Sequence, residues 1–434
     1  MGWPNWCSRT RMSFNPLERK IAEALNRFPV LKQTTKALYQ RTNYFVFGNR
    51  DFTSGVHTET ELLTPAEYVE VTSFSGPEFF GYFDTTPWNR NGDSLIYHRP
   101  TTEPGVSIQL YQNGRSQSIA TSAAWNYQQG CRTRWHPTET DHVVYNDILD
   151  GSLAATVVDT TGTTIQTYDR PLQAMAPTGQ EFISLNYHRL DRNRPDYGYG
   201  IDDETKIAQP TDDGLWKVET ETNTAELLIS LAELIDNEVA QEDHYLNHVL
   251  YNPAGDRFVF LHRWRGPQGR VSRLYVSDRD GNYRLLMDDD VVSHYCWLDE
   301  TQVLVWGRSK QHGDGYHKID VETGEQQFVH PLDGYGDGHP SVSPNGRWVV
   351  TDTYPDRGRR RHLLLFDQHT DTVTELGQFF SPFGYEGENR CDLHPRWSPD
   401  GTKISIDSAH DGTRRSYILD VSALVSDSSR RNVR

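Results

Sequence analysis

Residues 336–355 read GDGHPSVSPNGRWVVTDTYP: a histidine (His339), a Ser-Pro-Asn-Gly turn ending at Gly346, then the apolar run Trp348 to Thr351. The same order recurs at His248 to Gly255 (HVLYNPAG) and His394 to Gly401 (HPRWSPDG), while HYCWLDE from His294 keeps the histidine and loses the glycine. Fainter copies of the turn lie at Asn89 to Gly92 (NRNG) and Ala176 to Gly179 (APTG), and Arg132 to Thr138 (RTRWHPT) fits the same slot with arginine in the histidine's place. The units begin near Thr85, Arg132, Leu172, His248, His294, His339 and His394. Their spacing is roughly the forty to fifty residues that a four-stranded blade needs, and short apolar runs bounded by Gly, Asp and Asn argue strands throughout. The expected fold is all-β, a seven-bladed β-propeller over about residues 65–424.

The last unit stops after a third strand at Tyr417 to Val421, and Tyr68 to Phe74 (YVEVTSF) is the expected fourth, joining the two ends of the chain in one blade and removing a sheet edge. Residues 1–64 read as a helical extension. Asn15-Pro16-Leu17-Glu18 makes an N-terminal helix signal ahead of Leu17, Ile21, Leu25 and Phe28, and a second short helix is expected over Leu31 to Tyr39. Arg19, Lys20 and Arg27 leave open an interfacial membrane helix beside the simpler reading of an arm packed on the propeller. The polar residues 425–434 read as a disordered tail.

The chain has no transmembrane segment and no signal-peptide apolar region, so the cytoplasm is the expected compartment. Cys7, Cys131, Cys296 and Cys391 lack metal-type spacing. A net charge of −17 argues against binding nucleic acid, whose phosphates would be repelled. Nothing in the sequence fixes the oligomeric state.

A residue type repeated in register makes a ring in space. Counting outward from each turn glycine pairs His248 with His262, His339 with Thr353, His394 with Ser408 and Thr85 with Arg99, which brings the histidines, His262 and Arg263 to one mouth of the central channel. Such a cluster suits two chemistries. Neutral imidazoles hold a divalent metal, with carboxylates such as Asp352, Asp392 and Asp407 orienting them. Alternatively, one histidine acts as general base, with arginines neutralising a substrate carboxylate, which is the arrangement for β-elimination from a uronic acid. Structural histidines that tie one blade to the next are the competing reading. Trp135, Trp297, Trp348 and Trp397 read as core packing. The polar, aromatic stretch Asn186 to Gly200 (NYHRLDRNRPDYGYG) reads as a lid over the mouth, with Tyr187, Arg189, Arg192, Arg194, Tyr197 and Tyr199 as candidate sugar contacts.

The segments HYLNHVLYNPAGDRFVFLHRW, GDGHPSVSPNGRWVVTDTYP and RCDLHPRWSPDGTKISIDSAHDG resemble the blade-start motifs of the oligogalacturonate lyase family over residues 243–421. That resemblance implies a propeller whose channel carries a histidine-rich site for a divalent ion, manganese or calcium, and which eliminates across uronate linkages of an acidic oligosaccharide. Carried over residue by residue, His294, His339 and His394 resemble the metal ligands, and His248 or His262 with Arg263 the catalytic pair. Tyr82 or Tyr354 would be the acid, and Arg132, Arg263 or Arg396 would hold the substrate carboxylate. One departure stands out. The family's last blade offers two histidines one residue apart with a glutamine upstream, whereas this chain has Cys391-Asp392-Leu393-His394-Pro395-Arg396, a cation in a ligand's place. Two further readings stay open: a noncatalytic propeller binding glycan or protein in a surface-polysaccharide pathway, and a glycoside hydrolase using Asp84, Asp352 and Asp407.

Overall fold

The computed structural model describes residues 29–47, 55–58, 60–63, 76–201, 203–235, 243–267 and 269–426. Within them, seven antiparallel sheets follow one another along the chain as the blades of a propeller. Blades 1 to 7 have their second strands at Ser94–Pro100, His142–Leu149, Glu181–Ser184, Arg257–Gly266, Gln302–Ser309, Trp348–Asp352 and Lys403–Ser408. Their starts coincide with the seven read from the repeat.

The second strands are apolar without alternation because each is covered on both sides by neighbouring blades. In blade 4, Phe258 and Phe260 pack toward blade 3, against Ile183, Leu215 and Ile229. Val259 and Leu261 pack toward blade 5, against Val292, Val303 and Val305. The glycine of the turn motif has a backbone reason. Gly92, Gly179, Gly255, Gly346 and Gly401 all sit at φ between 68° and 74°, where a Cβ is disfavoured. In blades 2, 5 and 7 the tryptophan three positions after the slot ties the blade to the one before: Trp135 Nε1 donates to Pro87 O at 2.9 Å, Trp297 to Leu250 O and Trp397 to Ser341 O, both at 3.0 Å. These tryptophans are fasteners as well as packing.

Hairpin counting fails by one or two residues. His262 lies opposite Leu246 rather than His248, because a bulge between Asn247 and Leu250 takes His248 out of the ladder. Its backbone there is left-handed, φ 54°, as are those of Arg132 at 56° and His394 at 45°. Asp352, not Thr353, faces His339, and Leu393 O accepts from Asp407 N, one residue before Ser408. His98, not Arg99, pairs across to the first blade's inner segment, through Phe79.

The ring closes with Glu61–Leu63, which pairs with Arg415–Asp420 as the fourth strand of blade 7. The strand expected there, Tyr68 to Phe74, lies outside the described residues. Gly55–Val56 adds a fifth strand to blade 6. Gly55–Val56 and Glu61–Leu63, read as part of the helical extension, therefore belong to the sheets. The second helix is longer than expected, Pro29–Phe47, and Tyr44 sets its ring 5.7 Å from Phe380 and 5.3 Å from Phe383. The helix read from Asn15 lies outside the described residues, as does the tail beyond Ser426, which itself ends a short helix, Ser422–Ser426.

Two predictions follow from buried polar fasteners. Asp352 accepts from four donors: His339 N and Nδ1, both at 2.8 Å, Leu393 N at 3.0 Å and His394 N at 3.2 Å. Asp352→Ala leaves these unsatisfied in the interior and should cost about 3–5 kcal/mol in denaturant titration. His362, with a side chain 6% exposed, sits between Asp356 at 3.3 Å and Glu375 at 2.7 Å. Burial opposes its proton, but the two carboxylates outweigh burial and raise its pKa from 6.5 to about 9. Because the folded-state pKa is the higher one, the stabilisation is fully present below pH 6.5 and is lost as pH rises through about 9. Wild type should exceed His362→Gln by about 2–3 kcal/mol at pH 6 and converge on it by about pH 10.

Candidate functional site

The segment Phe80 to Thr85 runs through the central channel. Asp407 anchors it, accepting from Phe80 N at 3.1 Å and Gly81 N at 3.0 Å. Tyr82 and Phe83 then project among the slot histidines. The Tyr82 ring stacks 5.1 Å from His248 and meets His394 at 5.0 Å, while Phe83 lies 5.2 Å from His339 and 5.9 Å from His294. His248, His294, His339 and His394 thus converge as the repeat implied, each no more than 6% exposed.

Three of the four rings are held the same way. His294 Nδ1 donates to Asp337 Oδ1 at 2.9 Å, His339 Nδ1 to Asp352 Oδ1 at 2.8 Å, and His394 Nδ1 to the Gly81 carbonyl at 2.8 Å. Each acceptor is an oxygen, so a proton sits on each Nδ1 and, in a neutral ring, Nε2 keeps its lone pair, the arrangement of metal-bound histidines oriented by outer partners. Burial opposes a second proton on His339, but Asp352 outweighs it and raises the pKa, so an ion there would displace that proton. His339 Nε2 and His394 Nε2 are buried without a hydrogen-bond partner among the described residues. With an Asp392 oxygen they form a group whose donor atoms all lie within 4.8 Å of one another. Two ligands each about 2.1 Å from one ion at the tetrahedral angle stand roughly 3.4 Å apart, so a small contraction would close this set on a divalent ion. Asp392, read from sequence as an orienting neighbour, is a donor here, and His294 stands beside the set with its ring 4.2 Å from that of His339. Burial depresses the pKa of His394 and of His294, which keeps both rings neutral. Burial would raise Asp392, but Arg361 at 2.7 Å and Arg390 at 2.8 Å hold it well below the usual range.

His248 stands apart from the donor set. Its Nε2 lies 3.3 Å from the Tyr82 hydroxyl, and its Nδ1 is buried without a partner among the described residues. Burial, then the nearby charge of Arg263, holds its pKa well below 6.5. Arg263 donates only to neutral oxygens, Ser272 Oγ and Val292 O, each at 3.1 Å, and has no carboxylate partner among the described residues. His262 does not join the cluster. It faces the other side of its strand, with Nε2 2.9 Å from His244 Nδ1 and its ring 5.0 Å from that of Trp264.

The other candidate arginines are bound within the protein. Arg132 makes a bidentate pair with Asp84 at 3.1 and 2.8 Å. Arg396 donates to the Tyr82 and Gly81 carbonyls and to Asp407 at 2.9 Å, so it fixes the channel segment rather than offering a free cation. Asp84, Asp352 and Asp407 are correspondingly saturated, which leaves no free carboxylate pair among the three for hydrolysis.

The insertion does cover the mouth. Tyr197 meets His248 edge-on at 5.0 Å, and Arg390 clamps the insertion to blade 7 through Asp196 at 2.7 Å and the Tyr197 hydroxyl at 3.1 Å. Its side chains are committed to that fold: Tyr187 donates to Leu172 O and Gln173 Oε1, Arg189 pairs with Asp213 at 2.5 Å, and Arg194 with Asp196 at 2.8 Å. They are lid-forming rather than free sugar contacts. Tyr354, 39% exposed and 5.8 Å from the His339 ring, marks where the cluster approaches solvent.

Fold and site together define a seven-bladed propeller with a buried histidine and carboxylate centre in its channel. Among solved structures, an oligogalacturonate lyase in complex with manganese superposes over 86% of this chain and 98% of its own, with TM-score 0.60 and 16% identity. The Vibrio parahaemolyticus oligogalacturonate lyase does so over 85% and 97%, with TM-score 0.59 and 15% identity. The chain has the fold of these lyases. No family model and no curated protein sequence matches it. No helix among the described residues is long and apolar enough to cross a membrane.

A metal test follows directly. Titrating Mn²⁺ should raise the melting temperature of the wild type by mass action, and the His339→Ala, His394→Ala double variant should show no such shift. An unchanged shift in the double variant would place the ion elsewhere.

Proposed function

We propose that the protein is a lyase acting by β-elimination on uronate-containing oligosaccharides. The observation that carries this reading is His248, a neutral imidazole whose Nδ1 has no partner among the described residues, set beside the Tyr82 hydroxyl and within the field of Arg263, which has no carboxylate partner among them. Arg263 receives the uronate carboxylate. That negative charge offsets the arginine's depression of His248 and moves the base toward the operating pH, where proton transfer is most effective. His248 Nδ1 then takes the proton α to the carboxylate, the carbon to leaving-oxygen bond at the β position breaks, and a carbon–carbon double bond forms between those two positions. Tyr82 accepts the His248 Nε2 proton in a hydrogen bond and gives its own to the leaving oxygen. Burial raises the Tyr82 pKa, so it works as a donor and not as a phenolate. His339, His394 and Asp392, with His294 beside them, would hold a divalent ion, whose positive charge would acidify the α-proton. The proposal includes a cytoplasmic setting, with imported oligomers or a biosynthetic intermediate as substrate, and displacement of the 186–200 lid to admit it.

Incubation with a galacturonate oligomer should generate the near-ultraviolet absorbance of an unsaturated uronate. His248→Ala should lower the rate by about 10³-fold or more while leaving metal binding intact. Reducing ends formed without that absorbance would overturn the elimination. One observation favours a second reading, a noncatalytic glycan-binding propeller: the histidines are sealed beneath a lid pinned by Arg390. Saturable oligomer binding with no product, unaltered when Arg390→Ala loosens the lid, would select it.

A further inference from the structure

The segment that carries Tyr82 and Phe83 divides the channel in two. On the side of the Pro/Gly turns lies a cavity of about 880 Å³, opposite the histidines, with Phe83 as its inner end and Trp135 and Trp397 in its walls. A smaller one of about 250 Å³ adjoins it and shares Phe83, Asp84, Thr85 and Arg134. The indole N–H groups are already spent on Pro87 O and Ser341 O, so the rings offer apolar faces and little hydrogen bonding.

Arg134 lines both spaces and differs from its neighbours. Arg132, two residues earlier, is neutralised by Asp84, and Arg396 by Asp407. Arg134 has no ion pair or side-chain hydrogen bond among the described residues, and its Nε is buried without an acceptor. Burial and the adjacent Arg132 lower its pKa to about 10, which still leaves it charged at neutral pH. A half-buried guanidinium that faces a cavity and has no hydrogen-bond acceptor among the described residues is placed to pair bidentately with an anion. The volume is that of a site for a small organic molecule and far exceeds an inorganic ion. At the rim, Asp299 and Glu300 are exposed carboxylates that repel polyanions.

We infer that this turn-side cavity is a second ligand site, for a ring-bearing organic monocarboxylate, with Arg134 binding the carboxylate and Trp135 and Trp397 packing the ring. It is separate from the histidine centre and does not rest on the lyase reading. The test is a tryptophan-fluorescence titration of the full chain with glucuronate and with phenylacetate, using glucose as the uncharged control. At least one acid should saturate below about 10 mM, with glucose silent. Glucuronate alone identifies a sugar acid, phenylacetate alone an aromatic acid. Arg134→Gln should weaken binding at least about tenfold, Arg134→Lys less, and His248→Ala not at all. Arg134→Gln should also melt at the wild-type temperature or higher, since it removes an unpaired charge; a lower melting temperature would mean that Arg134 is structural. Saturation by neither acid, equal response to glucose, or unchanged binding in Arg134→Gln overturns the proposal.

Discussion

The propeller depends on how each blade satisfies the backbone of the next. At the channel the inner strands break their ladders: Arg132, His248 and His394 adopt left-handed backbone conformations, which frees N–H groups in a buried place. Such groups need partners, and a polar side chain of the preceding blade supplies them. Asp352 of blade 6 accepts from Leu393 N and His394 N of blade 7. Asp407 of blade 7 accepts from Phe80 N and Gly81 N ahead of blade 1. His98 of blade 1 reaches Cys131 N and Thr133 of blade 2, and Asn146 of blade 2 pairs with both Leu172 N and O of blade 3. His98 is a neutral acceptor here because burial lowers its pKa to about 4.

The same break creates the functional geometry. A residue lifted from the ladder turns its side chain toward the axis, and Asp352 shows how one carboxylate serves both ends, taking His394 N of the next blade and, in its own blade, both His339 N and His339 Nδ1 at 2.8 Å. Structural and functional readings of the ring histidines are therefore not alternatives. Fixing Nδ1 is a fastening role, and it leaves Nε2 as a buried lone pair facing the channel.

This explains what could be read from the chain and what could not. Blade number and starts were legible because the turn glycine answers to a local constraint, positive φ, and the apolar second strands answer to burial on both sides. Register was not, because a bulge at the slot shifts every pairing beyond it and leaves no mark in composition. His262 was misplaced for that reason alone. Arg132 and Arg396 read as free cations because Asp84 lies 48 residues from Arg132 on the channel segment, and Asp407, 11 residues from Arg396, is reached only through the register of their hairpin. Asp392 had a local signal, a carboxylate two residues before a slot histidine. Glu61–Leu63 is too short to announce itself beside the longer run at Tyr68 to Phe74.

Around the channel, arginines pair with carboxylates with two exceptions, while the buried Arg414 is spent on the Asn389 and Arg390 carbonyls. Arg132, Arg361, Arg390 and Arg396 each face a carboxylate at 2.7 to 2.9 Å. Arg263 and Arg134 face none among the described residues. Scarcity of acid is no explanation in a chain of net charge −17. Both exceptions line the channel, one on each side of the Tyr82 and Phe83 partition. Neither guanidinium has an acid of its own to pair with, which accords with the two proposals that an anion enters each chamber from outside, a uronate at the lidded end and a small carboxylate at the open one.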